Sequence, residues 1–269
     1  MSREVVEVFS FAGLRGTVQK EKVKIMIRFI IVALLVGGFL ILGYPLLLMQ
    51  NSLEKKDPDA KNQESLKIIQ FMFRLLLKVS GVTVTVKGLE NIPKDKAVLY
   101  VGNHRSYFDI LVGYTTVPHL VGFVAKKEMM RYPLLRSWMR HVNCLFLDRQ
   151  DIKAGLKTIL EGIEKVKSGI SMWIFPEGTR GDGEDELDML PFKEGSLKIA
   201  EKSGCPVVPV AMIKTADVFE KHLPCIRPTH VTVYYGTPFY IKELEPEQKK
   251  HAGAYTREVI QNMIKEVTN

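Results

Sequence analysis

From Val82 to Val267, short apolar runs alternate with stretches whose apolar residues recur at helical spacing, and this alternation limits the chain to few folds. Val82 to Lys87, Ala97 to Val101, Leu120 to Ala125, Cys144 to Leu147, Ser171 to Phe175, Val207 to Met212 and His230 to Tyr235 have the length and residue types of strands. Between and after them, helices are predicted over Pro133 to Arg140, Asp151 to Lys167, Glu194 to Lys202 and Tyr255 to Val267. In the second of these, Ile152, Leu156, Ile159, Leu160, Ile163 and Val166 are expected to form one face that covers a sheet. The pattern predicts an α/β domain, a largely parallel sheet flanked by helices, over residues 82–269. Its chemistry is then expected where strands hand over to helices.

The first 81 residues read differently. Phe29 to Met49 holds no charged residue, and as one helix it would reach roughly 31 Å, close to the ~30 Å hydrocarbon core of a bilayer. Gly37, Gly38, Gly43 and Pro45 leave a kinked or re-entrant path open as well as a simple span. Arg15, Lys20, Lys22, Lys24 and Arg28 precede it, which puts a spanning helix's N-terminus on the cytoplasmic side. Asn51 to Gln63 reads as a charged turn. In Glu64 to Ser80, Lys67, Gln70, Arg74 and Lys78 form a narrow polar stripe on an otherwise apolar helix, which we expect in the membrane interface, the alternative being a core helix. Residues 1–81 are thus expected to be a helical membrane-anchoring module. A net charge of +8 calls for an anionic partner, and nucleic acid would account for the charge but not for the apolar segment. Three scattered cysteines, Cys144, Cys205 and Cys225, argue for free thiols and against a zinc site.

The stretch Ala97 to Asp109 (AVLYVGNHRSYFD) runs from strand through a Gly102-Asn103 turn into a helix opened by Ser106 and Asp109. If the loop folds back, the Asp109 carboxylate can hold one imidazole nitrogen of His104 while the other accepts a proton from a weakly acidic hydroxyl. The bland alternative is a capping aspartate beside an ordinary loop histidine. A second motif, Phe175-Pro176-Glu177-Gly178-Thr179-Arg180, follows another strand. Pro176 stiffens the exit, Gly178 allows a positive φ or a close approach, and Arg180 offers a planar fork of donors suited to phosphate or to a neighbouring carboxylate.

Together, Asn103-His104-x4-Asp109 and Phe175 to Arg180 resemble the glycerolipid acyltransferase family, in particular its 1-acyl-sn-glycerol-3-phosphate acyltransferases. The likeness runs from about Val82 to Tyr240. It includes Leu145-Phe146-Leu147-Asp148-Arg149, Val207-Val208-Pro209-Val210 and the basic Ala125-Lys126-Lys127-Glu128. Two departures stand out: Asn143 takes the place of a usual glycine, and the loop after Arg180 is longer and more acidic. The resemblance implies acyl transfer from acyl-coenzyme A or acyl-carrier protein to the sn-2 hydroxyl of lysophosphatidic acid, giving phosphatidic acid, with no metal or further cofactor.

In that scheme His104 is the base and Asp109 orients it. Lys126, Arg149 and Arg180 bind the acceptor phosphate, and Glu177, Gly178 and Thr179 shape its pocket. Backbone N–H groups of the His104 loop are candidates for the oxyanion. The expected place is the cell membrane, with the catalytic domain on the cytoplasmic side. Other acceptors such as glycerol-3-phosphate or a different lysolipid, a hydrolase activating water, and a non-catalytic membrane lipid-binding protein are the alternatives.

Overall fold

The computed structural model describes residues 25–268. The stretch Met1 to Lys24, with Arg15, Lys20, Lys22 and Lys24, lies outside the described residues. The apolar segment is carried by two helices, α1 (Ile25–Leu42) and α2 (Tyr44–Lys56), divided at Gly43, and among the described residues α1 alone is long and apolar enough to cross a membrane. Pro45 in the first turn of α2 supplies no N–H, so a helical bond back to Ile41 is missing there, while the bonds Gly43 N–H to the Phe39 carbonyl and Leu47 N–H to the Gly43 carbonyl are kept. A single residue, Asp57, separates α2 from α3 (Pro58–Ser80), and its carboxylate accepts the Ala60 N–H at 2.9 Å. The charged stretch expected as a turn is therefore helical on both sides of one cap.

The apolar face of α3 lies in the protein core and not in a membrane interface. Leu66, Ile69, Met72, Leu76 and Leu77 are buried, the Gln70 amide donates to the Tyr114 carbonyl, and Phe73 meets the Tyr114 ring edge-on. Leu47 of α2 belongs to the same core, and the Gln50 side chain accepts from the buried Ser65 hydroxyl at 2.9 Å. Residue 81 thus marks where strands begin, without separating two packing units. Helix α1 differs: Phe29, Val32, Phe39 and Leu40 pack on the core, while Ile30, Leu34, Ile41 and Leu42 are exposed.

The remaining elements are β1 (Val82–Lys87), β2 (Leu99–Gly102), α4 (Phe108–Thr116), β3 (Val121–Lys126), α5 (Pro133–His141), β4 (Leu145–Leu147), α6 (Ile152–Lys167), β5 (Ser171–Ile174), α7 (Lys198–Ser203), β6 (Val207–Ile213), β7 (Thr229–Tyr235), α8 (Pro246–Lys250) and α9 (Ala252–Thr268). Among the described residues, seven strands form one sheet in the order β1-β7-β6-β2-β5-β3-β4. All pairs are parallel except β6 with β7. That exception follows from the connection: residues 214–228 contain a short 3-10 turn and no crossover helix, so β7 returns antiparallel.

The central strands are buried on both faces, which is why they read as unbroken apolar runs. Tyr100, Trp173, Val208, Val210 and Met212 join the core under α2 to α5, whereas Leu99, Val101, Met172, Ile174, Val207 and Ala211 join the one under α6, α7 and α9. The period of two in a strand assigns neighbours to opposite layers. Helix α6 covers the sheet with only part of its expected face. Ile163 and Val166 are buried, Ile159 is partly so, and Ile152, Leu156 and Leu160 are exposed. Gly162, which lies against Ile199, marks the side that α6 turns inward.

The two departures from the resembled family have local explanations. Asn143 has φ 61°, a conformation that glycine adopts freely and asparagine better than most other residues. Its side chain bridges Asn62 of α3 and Lys165 of α6. It precedes β4 whereas Arg149 follows that strand, so the substitution lies at the opposite sheet edge from Arg149. The acidic loop after Arg180 is pinned from within: the buried Arg105 guanidinium donates to the carbonyls of Gly183 and Asp185 and lies 3.7 Å from Glu186.

Gly122 offers a test of this packing, because a Cβ there would sit 2.0 Å from the Asn143 carbonyl oxygen. Backbone on both sides leaves nothing to rotate away. Gly122→Ala is expected to destabilise the fold by about 1–3 kcal/mol, read as a lower urea midpoint with unchanged slope.

Candidate active site

Strand order assembles the site. β2, β5, β3 and β4 run parallel as consecutive neighbours, so their carboxyl ends line one edge in that order. His104 follows β2, the Phe175 to Arg180 loop follows β5, Lys126 ends β3, and Arg149 follows β4. Lys126 pairs in register with Leu147, which brings an exposed cation beside the Arg149 turn. Four segments far apart in the chain therefore share one rim, as expected for an open α/β sheet.

At the centre of that rim, His104 Nδ1 lies 2.8 Å from Asp109 Oδ2. The same carboxylate oxygen accepts the N–H groups of Arg105 and Ser106, each at 2.8 Å. Asp109 is fully buried, and a carboxylate taking backbone donors is an acceptor, so the imidazole proton resides on Nδ1. Nε2 is left as the basic nitrogen. The ring stacks on Phe175, with centroids 4.1 Å apart, which fixes its plane. The loop itself is held on β6 by Asn103, whose amide exchanges hydrogen bonds with the backbone of Met212 at 2.8 and 2.7 Å.

The Phe175 to Arg180 loop docks directly on the histidine. Glu177, buried, accepts the His104 N–H at 2.7 Å with one oxygen and the Leu190 N–H at 3.0 Å with the other. Burial raises its carboxyl pKa, and these two N–H groups oppose that rise. Its contribution to the pocket is to hold the loops. Gly178 has φ 81°, its carbonyl accepts from the Arg149 guanidinium, and a Cβ there would lie 2.9 Å from Lys193 Nζ. Thr179 is exposed at the rim. Arg180 donates to Glu220 at 2.9 Å and lies 3.9 Å from the centroid of the Tyr107 ring.

The geometry corrects one expectation. Every amide from His104 to Phe108 is already engaged: His104 by Glu177, Arg105 and Ser106 by Asp109, Tyr107 by Glu220, and Phe108 by the Ser106 hydroxyl. These N–H groups are therefore not free to hold an oxyanion. The Ser106 hydroxyl is likewise committed, donating to Glu220 at 2.6 Å, which fits its reading as a capping residue. Asn103, Lys193 and Glu220 escaped the sequence reading as site residues. Asn103 alone carried a local signal, being polar directly after an apolar run.

The family model described as Acyltransferase matches residues 83–213. The chain is similar to proteins named 1-acyl-sn-glycerol-3-phosphate acyltransferase. That of Borreliella burgdorferi is 33% identical over 156 residues, covering 56% of this chain and 61% of that protein. That of Cocos nucifera is 32% identical over 179 residues, covering 66% and 56%. That of Saccharomyces cerevisiae is 34% identical over 147 residues, covering 54% and 48%. The matches thus span about half to three fifths of these relatives. The crystal structure of the 1-acyl-sn-glycerophosphate (LPA) acyltransferase PlsC from Thermotoga maritima superposes with a TM-score of 0.78 at 28% identity, covering 92% of this chain and 97% of that one.

The acidic loop beside the site yields a pH prediction. Burial raises the carboxyl pKa of Glu186 above its ordinary 4.5. The folded state then binds the proton more tightly than the unfolded state, and stability falls as pH rises through the window above 4.5. Relative to Glu186→Gln, wild type is expected to lose stability between pH 4 and pH 7, by about 1.4 kcal/mol for every tenfold difference in proton affinity between the two states. Parallel urea titrations of the two proteins across that range measure it, and a constant difference would refute it.

Proposed function

We propose that the chain is an acyltransferase of the family whose model matches residues 83–213, and that it transfers a fatty acyl group from an acyl thioester to the sn-2 hydroxyl of 1-acyl-sn-glycerol-3-phosphate. The observation that carries this reading is the 2.8 Å contact between His104 Nδ1 and Asp109, which leaves Nε2 as a base on the rim. Nε2 takes the hydroxyl proton, the oxygen attacks the thioester carbonyl, and the tetrahedral intermediate collapses with loss of the thiolate. The imidazolium then returns the proton to the sulfur, so phosphatidic acid and free thiol are the products. Asp109 stabilises the imidazolium throughout. The committed Ser106 hydroxyl supports direct transfer over an acyl-enzyme.

In this proposal Arg180, Arg149 and Lys126 neutralise the acceptor phosphate, with Glu177 and Gly178 holding their loops in place. Thr179 lines the rim. The donor is acyl-coenzyme A or acyl-carrier protein, and the reaction draws on no metal or cofactor beyond that co-substrate. Helix α1 associates the protein with a membrane, and its two-sided character gives this a form. Because Phe29, Val32, Phe39 and Leu40 pack on the domain, lipid meets only the opposite face, which favours insertion into one leaflet over crossing. We place that leaflet on the cytoplasmic side of the cell membrane.

Purified wild type and His104→Ala, reconstituted in vesicles with lysophosphatidic acid and acyl-coenzyme A, test the reading. Wild type is expected to form phosphatidic acid, and the variant to lose at least ~100-fold in rate. Free fatty acid as the sole product would replace the proposal with a hydrolase. Arg180→Ala is expected to raise the KM for acceptor at least tenfold while leaving the KM for donor within about twofold. Equal increases would remove Arg180 from the phosphate site.

A further inference from the structure

The segment between β6 and β7 folds back over the carboxyl end of β2 and delivers one carboxylate to the site. Glu220 Oε2 accepts the Ser106 hydroxyl at 2.6 Å, and Oε1 accepts both the Tyr107 N–H at 2.8 Å and Arg180 Nη1 at 2.9 Å. The first two bonds cap the start of α4. The third is not needed for capping, and it joins the histidine loop to the arginine of the other motif. Glu220 is 16% exposed and Arg180 35%, so water screens the pair only in part. Phe219, next in the chain, stacks on Phe29 of α1 with centroids 5.8 Å apart, and Val218 is fully buried. The carboxylate thus rests on a braced segment.

A guanidinium has five N–H donors in one plane. On this flexible side chain, the Glu220 contact at one edge and the Tyr107 ring against one face fix that plane. The donors not engaged by Glu220 are then oriented before a ligand arrives. We infer that Glu220 is a positioning residue for Arg180, setting the direction of its fork toward the acceptor phosphate and so controlling acceptor affinity more than the chemical step. This rests on the acyl-transfer reading above. The preorganisation is lost if the bond to Arg180 is lost, while the alignment of His104 rests on Asp109 and remains.

The experiment is a double-mutant cycle with Glu220→Gln and Arg180→Ala, recording kcat and the KM for lysophosphatidic acid and for acyl-coenzyme A separately. Glu220→Gln is expected to raise the acceptor KM about tenfold, with kcat reduced less than threefold and the donor KM unmoved. In the Arg180→Ala background, Glu220→Gln is expected to add less than twofold to the acceptor KM, because it acts through the missing guanidinium. Glu220→Asp, which keeps the charge, is expected to recover part of the affinity. Full additivity of the two substitutions, or a loss confined to kcat, would overturn the inference and leave Glu220 as a helix cap. Absence of phosphatidic acid from wild type would overturn the acyl-transfer reading itself and this inference with it. Circular dichroism melts of each variant separate these outcomes from unfolding: a Glu220→Gln effect that tracks loss of folded protein counts against positioning.

Discussion

The buried Asp109 carboxylate is the contact on which the site depends. One of its oxygens takes three N–H donors, the His104 imidazole and the backbone amides of Arg105 and Ser106, so a single group orders the loop and sets the tautomer of His104. The two tasks reinforce each other. The amides that bond to Asp109 also hold the loop that carries His104, and the imidazole cannot rotate without losing both Asp109 and the Phe175 stack. A neutral side chain of the same shape would leave the imidazole without the partner that stabilises its charged form.

Around that contact the sheet acts as a frame for bringing cations to one rim. Parallel pairing of β2, β5, β3 and β4 puts each carboxyl end on the same side, and the loops then cross-link by short-range contacts. Glu177 ties the second motif to His104, Gly178 receives Arg149, and Glu220 joins Arg180 to the start of α4. Two carboxylates among these cross-links stand beside arginine or backbone donors, which offsets part of the positive charge gathered at the rim.

The N-terminal helices add an exposed apolar face to this frame. Helices α2 and α3 complete one layer of the core, and α1 lies on it with one face packed and the other exposed. The exposed apolar face therefore belongs to a helix whose other face packs on the domain. Phe29 on the packed face meets Phe219, one residue from the carboxylate that holds Arg180. The helix with the exposed apolar face and the Arg180 guanidinium are thus two contacts apart.

Much of the plan is legible in the chain itself. Apolar runs and helical spacing locate the strands and most helices, because two-sided burial and amphipathic packing leave periodic marks. The two motifs mark His104, Asp109 and Phe175 to Arg180, because their residues are contiguous or one turn apart. Other features are not legible. The core placement of α3 is hidden, since an apolar face looks the same whether protein or lipid covers it. The outward turn of Ile152, Leu156 and Leu160 depends on which side of α6 the sheet presses, and periodicity has no sign for that. Glu220 lies more than a hundred residues from Ser106, and no spacing rule reaches that far. Local periodicity and short motifs were enough to determine the α/β elements and the pairing of His104 with Asp109. The strand order that collects the cations, and the carboxylate that holds Arg180, were decided by tertiary packing, because they depend on contacts between segments whose separation in sequence carries no information about their distance in space.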